Sequence, residues 1–290
     1  MARLFRRWWP VSALVGLLVV VPAAVAARAY HAATLLLRPH RGPVAMPTGW
    51  SGGIITQWTT PSGVRLSGWY FPSTNGAAVV LAHGMGANRL QLAPELEALR
   101  AQGFGVASFD EPGQGESEGQ VTWGEAEREA LATVVDFVAK QPDATGAIGV
   151  LGFSVGGSAA VRVAAEDLRV RALVLCGTWT SLEGEFTFEF GRWGALSRWP
   201  ALWALQRHGI HREDVQPIVD ITHIAPRPVL VVTGGADEVV PQEVAEALFS
   251  ASKPPHQLKT LPGAHHGDYA QSPEYLPLVT GFFARTLLAK

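Results

Sequence analysis

The stretch Val150-Leu151-Gly152-Phe153-Ser154-Val155-Gly156-Gly157 constrains this chain most tightly. A β-prone run, Ile148 to Leu151, ends in glycine. A serine then sits between two small positions, and an Ala-rich, helix-compatible segment follows from Ser158 to Glu166. The pattern predicts a strand, a sharp turn and a helix, with Ser154 at the apex. A hydroxyl projected clear of the backbone at such a turn requires residues 152 and 156 to lack bulk, because strand and helix pass close to each other there. From these eight residues alone, a turn serine capping a helix remains an equal alternative.

The rest of the chain supplies the context. Two alternating runs, 54–58 and 64–70, flank Pro61-Ser62-Gly63 and predict a β-hairpin. Short continuous apolar runs follow at 78–82, 105–109, 148–152, 172–176, 228–233 and 256–261. Between and after them lie helical segments at 90–101, 125–140, 241–251 and from Pro273 onward. Leu131, Val134, Val135 and Val138 share one helical face, as docking on a sheet requires. Alternation of this kind predicts a mostly parallel sheet of about eight strands with helices on both faces, and an antiparallel hairpin at one edge.

Between Cys176 and Pro228 the rhythm breaks. The interval carries Phe186, Phe188, Phe190, Trp193, Trp199 and Trp203, too apolar for a solvated loop. It is expected to form a small helical lid at about 178–222, its aromatics either covering something or burying the insert against the main domain.

The N-terminus stands apart. Arg3, Arg6 and Arg7 precede Trp8 to Ala27, twenty residues without a charge and long enough to span a bilayer's hydrocarbon core. The expectation is a signal anchor over 1–29 and a juxtamembrane linker over 30–49, before a globular domain over 50–290. The arginines would stay cytoplasmic and place the domain outside. Secretion after cleavage near Ala24-Val25-Ala26 is the alternative.

With 290 residues, 48% of them hydrophobic, the chain can build a sizeable core. A net charge of −2 with no basic block argues against nucleic acid as a partner. Cys176, the only cysteine, leaves no internal disulfide or cysteine-based metal site. His265-His266 lacks the i, i+4 spacing of helical metal ligands, and no cofactor or metal is expected. Oligomeric state is not encoded in any motif.

Reactive groups in such sheets collect at the carboxyl ends of strands. Four ends carry chemistry: Ser154, Gly235-Ala236-Asp237-Glu238, His83-Gly84-Met85-Gly86, and Gly263-Ala264-His265-His266-Gly267. A serine needs a base, and the base needs an orienting group. Serine, acid and histidine occur here in the order used by α/β-hydrolases. With Phe109-Asp110-Glu111-Pro112-Gly113-Gln114-Gly115-Glu116-Ser117 added, residues 50–290 resemble the α/β-hydrolase superfamily of serine hydrolases. Within it, they resemble the membrane-anchored lysophospholipase-like and acyl-peptidase-like branch. Glu111-Pro112 departs from that pattern, in which many relatives carry a bulky residue and arginine.

The resemblance implies Ser154 as nucleophile, His266 as base and then acid, and Asp237 as the orienting carboxylate. The amides of Val155 and Met85 would form the oxyanion hole, supported by His83, Gly84, Gly152 and Gly156. His265 and Glu238 are the rivals of His266 and Asp237; His83 and Asp110 would order their own turns. The implied activity is hydrolysis of carboxylic esters, with the aromatic insert and the anchor favouring apolar, lipid-like acyl groups. Thioesterase or peptidase activity on the same residues, and a non-catalytic module holding a lipid-like ligand, are the alternatives.

Overall fold

The computed structural model describes residues 2–39, 41–144 and 146–288, with side chains from residue 16 onward. The chain runs α1 (Ala2–Leu36), β1 (Ile54–Thr59), β2 (Arg65–Phe71), β3 (Ala78–Ala82), α2 (Ala93–Ala101), β4 (Gly105–Phe109), α3 (Glu125–Ala139), β5 (Ile148–Phe153) and α4 (Val155–Glu166). It continues through β6 (Val170–Cys176), α5 (Leu182–Phe190), α6 (Ala195–Arg207), α7 (Pro217–Asp220), β7 (Val229–Gly234), α8 (Gln242–Ala251), β8 (His256–Leu261) and α9 (Tyr275–Leu287).

The strands form one sheet of eight in the order β1-β2-β4-β3-β5-β6-β7-β8. Strand β2 is antiparallel to both its neighbours, and all other pairings are parallel. The expected α/β architecture, with its antiparallel edge hairpin, is therefore present. A parallel sheet covered on both faces needs strands without alternation, and β3, β4, β5 and β7 are buried at every residue. Strand β3 shows how one run serves two cores. Ala78, Val80 and Ala82 join Leu131, Val134 and Val138 of α3 on one face, while Val79 and Leu81 meet Leu96 and Phe282 on the other.

Two compact units are present: the N-terminal helix with Glu183–Arg212, and Leu37–Leu182 with the chain from Glu213 onward. Of the segment expected as a lid over 178–222, only Glu183–Arg212 falls in the smaller unit. Leu182 and Ile218 donate to the carbonyls of Val215 and Thr180, and these bonds tie the flanking stretches of the larger unit to each other. Within the smaller unit α1 and α6 lie side by side, with Tyr30 and Trp203 ring centroids 5.2 Å apart.

The expected linker over 30–49 also differs. Helix α1 continues to Leu36, because Ala32, Ala33, Leu35 and Leu36 favour helix and neither proline nor glycine occurs between Pro22 and Pro39. Beyond it the chain is strapped down: Arg41 bridges to Gly115, Gly42 donates to the Gly115 carbonyl, and Val44 is buried. The flanking Arg3, Arg6, Arg7, Trp8 and Trp9 lie outside the described side chains.

Arg89 is the strap's anchor. Its guanidinium, 2% exposed, donates to Asp110 Oδ2 at 2.7 Å and to the Val44 carbonyl at 2.7 Å, pairs with Glu116, and lies 4.5 Å from the Trp69 ring centroid. One buried side chain thus joins the segment after α1, the loop after β3 and the turn after β4. Breaking a buried ion pair leaves an uncompensated charge. Arg89→Ala should lower the unfolding free energy by about 3–5 kcal/mol, measured by denaturant unfolding of the full chain in detergent.

Candidate active site

Ser154 occupies the turn between β5 and α4 with φ +52° and ψ −117°, a left-handed backbone uncommon for a non-glycine residue. Its amide donates to the Cys176 carbonyl at 2.9 Å, pinning the turn to the end of β6. The two flanking glycines are required by close approach. A Cβ on Gly152 would lie 2.4 Å from the Gly156 carbonyl oxygen, and one on Gly156 would lie 2.3 Å from that of Ala82. Any side chain at either position would push helix α4 off the sheet. Val155, the first residue of α4, offers its amide at a helix N-terminus, where backbone dipoles favour negative charge.

The loop after β3 faces this turn. A Cβ on Gly84 would lie 3.3 Å from the Ser154 Cβ, which places the loop directly beside the serine. Side chains clamp the loop on either side of Met85: the Gly84 amide donates to Gln91 Oε1 at 2.7 Å and the Gly86 amide to Gln114 Oε1 at 2.6 Å. Between them the Met85 amide has no acceptor among the described residues.

His83 fastens this loop to the next strand. Its Nδ1–H donates to the Gly84 carbonyl at 2.7 Å, and its Nε2 accepts the Glu111 amide at 2.9 Å. The ring must be neutral to do both. Burial, reinforced by the nearby Arg89 charge against the opposing Gly84 hydrogen bond, lowers its pKa from 6.5 to about 4. Both His83 nitrogens are therefore committed to the backbone.

Asp237 and His266 come together at the carboxyl ends of β7 and β8. His266 Nδ1 lies 2.9 Å from Asp237 Oδ2, the same oxygen that accepts the Tyr269 hydroxyl at 2.6 Å. Asp237 Oδ1 accepts the amides of Val239 and Val240 at 3.0 and 2.7 Å. Burial pushes this carboxyl upward, but the hydrogen bonds from His266, Tyr269 and Val240 outweigh it and hold it below the ordinary aspartate range. It is ionised at neutral pH, so His266 Nδ1 carries the proton and Nε2 is left for other work.

The His266 ring packs on Phe153 with centroids 4.7 Å apart, and its Cε1 would lie 3.0 Å from a Cβ on Gly177, the residue after Cys176. Ser154, Gly177 and His266 thus share one small region at the tips of β5, β6 and β8.

The rival pair sits elsewhere. His265 Nδ1 lies 2.9 Å from Glu238 Oε2, with side chains 59% and 67% exposed, against 16% and 0% for His266 and Asp237. Water screens the outer pair and surrounds it on the surface, so only the inner one is embedded beside Ser154. Each histidine holds a different carboxylate, and their Nδ1 atoms do not converge on a common point.

Asp110 is a framework residue. Its carboxylate takes the Arg89 side chain and the amides of Arg89 and Glu116, while its carbonyl accepts Ser117 Oγ at 2.6 Å. Glu111, the departure noted in the sequence, is fully buried, with no partner for either carboxyl oxygen among the described residues. Burial, with Glu127 and Asp110 nearby, raises its pKa well above the ordinary range, which favours the protonated form.

Sequence reasoning overlooked Tyr269, Gln91 and Gln114. Gln114 lies inside a quoted motif, but nothing in the motif says that its side chain reaches Gly86. Tyr269 follows His266 by three residues, and only the turn after β8 brings its hydroxyl back to Asp237.

His83 gives the site a pH signature. Unfolded, the imidazole titrates near 6.5; folded, it stays neutral down to about 4. Stability from this group is therefore full above pH 6.5 and lost as the pH falls toward 4, by roughly 3 kcal/mol in all. Urea unfolding at pH 7 and pH 4.5 should show a smaller loss between the two for His83→Gln than for the wild type.

The comparisons with known proteins point to the same fold. The family model described as serine aminopeptidase, S33, matches residues 73–223. An uncharacterised protein of Mycobacterium tuberculosis is 31% identical over 243 residues, covering 81% of this chain and 80% of that protein. The uncharacterised YfhR of Escherichia coli is 28% identical over 231 residues, covering 77% of this chain and 76% of its own. Among solved structures, an esterase of Pyrococcus furiosus superposes with a TM-score of 0.73 at 23% identity, covering 87% of this chain and 98% of that one. A sheet with the strand order given above, the strained serine turn after β5 and a family match across half the chain lead to one assignment: the protein belongs to the serine aminopeptidase S33 family of α/β-hydrolases.

Proposed function

We propose that this hydrolase cleaves carboxylic esters through an acyl-enzyme, with Ser154, His266 and Asp237 as its catalytic groups. The observation that carries the reading is the Asp237–His266 pair held beside a serine in a strained backbone conformation. Strain of this kind costs about 1–3 kcal/mol and persists where function needs it. A module that only held a ligand would have no use for the strained serine, the ionised aspartate and the clamped loop together.

In this reading Ser154 Oγ attacks the ester carbonyl carbon while its proton passes to His266 Nε2. Asp237 keeps the imidazole in the Nδ1–H tautomer and balances the imidazolium that forms. The developing oxyanion accepts from the amides of Val155 and Met85, each worth about 3–4 kcal/mol by analogy with other oxyanion-hole donors. Collapse expels the alcohol, which takes the proton from His266. Water then repeats the sequence on the acyl-serine and releases the acid.

An apolar acyl preference is part of the proposal, but its support has moved. Of the insert's aromatics, Phe188, Trp193, Trp199 and Trp203 are exposed and Phe186 is buried, so the insert alone does not carry the preference. The support is α1, the one helix among the described residues long and apolar enough to cross a membrane. An enzyme held there meets acyl esters where they partition, at about 0.8 kcal/mol per buried CH₂. We take α1 as a retained anchor with the catalytic domain outside the cytoplasm. Carbonate washing should leave the chain in the membrane fraction, and an intact mass starting near Ala27 would show a cleaved signal instead.

Hydrolysis of p-nitrophenyl esters from acetate to long acyl chains tests the reaction. Rates should rise with chain length and vanish in Ser154→Ala, with fluorophosphonate labelling lost in the same variant. Asp237→Asn should lower kcat by about 10³–10⁴-fold, since it releases the wrong imidazole tautomer. The family description favours one second reading, amide hydrolysis by the same groups. Ser154-dependent turnover of aminoacyl p-nitroanilides above that of the esters would select it.

A further inference from the structure

The aromatic insert turns outward. Along α6, Leu196, Trp199 and Trp203 fall at i, i+3 and i+7, one face of a helix, and are 48%, 45% and 55% exposed. Trp193 and Phe188, just before α6, are 59% and 52% exposed. The other side of α6 carries the buried Ala201, Ala204 and Leu205. Clustered large aromatics in water mark an interaction surface.

What they lie beside indicates the partner. Helix α6 runs along α1, where Ala29 and Ala33 are buried and Tyr30 meets Trp203. Further toward its N-terminus α1 exposes Leu17, Leu18, Val19, Val20 and Val21. The length of α1 bears on the level of α6. At 1.5 Å per residue the 35-residue α1 is about 52 Å long, whereas a hydrocarbon core of about 30 Å takes about 20 residues. Of the 15 residues of α1 outside the uncharged stretch Trp8–Ala27, six (Ala2–Arg7) precede it and nine (Arg28–Leu36) follow it, and the nine include Tyr30, beside which Trp203 of α6 lies.

The chemistry of the face matches that level. From Phe190 to Arg212 the chain has Arg192, Arg198, Arg207 and Arg212 and no acidic residue. The guanidiniums of Arg198 and Arg212 lie 4.9 and 5.2 Å from the Trp199 ring centroid, and Arg212 also pairs with Glu183. Tryptophan favours the bilayer interface, and arginine beside it suits anionic headgroups.

We propose that α6 is an interfacial helix, seating Leu196, Trp199 and Trp203, together with Trp193, in the headgroup layer of an anionic bilayer where α1 emerges. This rests on α1 being a retained anchor, and the experiment separates the two. The full-length chain is reconstituted into phosphatidylglycerol-containing phosphatidylcholine vesicles, as wild type and as the Trp193→Gln, Trp199→Gln, Trp203→Gln triple variant. Flotation reads the anchor, and quenching of tryptophan emission by lipids brominated high on the acyl chain reads α6. Unchanged hydrolysis of p-nitrophenyl acetate in detergent certifies folding, and the single variant Trp199→Gln serves if the triple one fails that check.

Both proteins should float, with quenching by the brominated lipid clearly reduced in the variant. Flotation of both with equal quenching would overturn the docking of α6 and leave the anchor standing. Flotation with wild-type chains cross-linking through this face, and no change in quenching, would assign it to a second copy of the chain. Failure of the wild type to float would remove the anchor and, with it, the proposal.

Discussion

Everything at the candidate site depends on how closely the chain is allowed to pass itself around Ser154. With 2.3–2.4 Å between ideal Cβ positions at 152 and 156 and the nearest carbonyl oxygens, the crossing exists only for glycine. Once made, it forces Ser154 into a left-handed backbone, lifts its hydroxyl from the end of the sheet and sets the N-terminus of α4 beneath it. The turn is held from outside as well, since its amide is bonded to the end of β6. The local strain is therefore balanced by strand pairing across the sheet, a non-local source of stability.

A second layer of polar contacts keeps the facing loop still. His83, Gln91 and Gln114 use side-chain atoms on the backbone of residues 84, 86 and 111, and Arg89 with Asp110 closes the base of the same loop. His83, Arg89, Asp110 and Gln114 are inside the protein, where a hydrogen bond is less challenged by water and a missing one is costly, and Gln91 is half-buried. Rigid placement of the amides around Met85 is the product. Preorganised donors are effective because they need no rearrangement when charge develops in front of them.

The smaller unit follows different physics. Its helices bury Ala29, Ala33, Ala201, Ala204 and Leu205 and bring Tyr30 against Trp203, while Leu196, Trp199, Trp193 and the Leu17–Val21 run are exposed. Such exposure is natural where the surroundings are not water alone. Hydrophobic composition alone does not separate the alternatives: an aromatic-rich insert can be a wall for a pocket or a face toward a bilayer, and the sequence is the same in both cases.

By itself the sequence determined the sheet, the hairpin at its edge, and the serine turn, because strand burial and glycine spacing are written in runs of adjacent residues. It also placed Ser154, Asp237 and His266 at strand ends, since βα units put those ends on one side. The resemblance implied His266 over His265, and the tertiary structure gives these sequence neighbours completely different surroundings. The inner one meets Asp237, Phe153 and Gly177, and the outer one meets Glu238 in solvent. Tertiary structure alone also brought Tyr269 to Asp237 and Arg89 to Val44, and turned Trp199 and Trp203 outward. Such contacts join residues remote in the chain or depend on which way a helix is rotated, and no periodicity in the sequence records either.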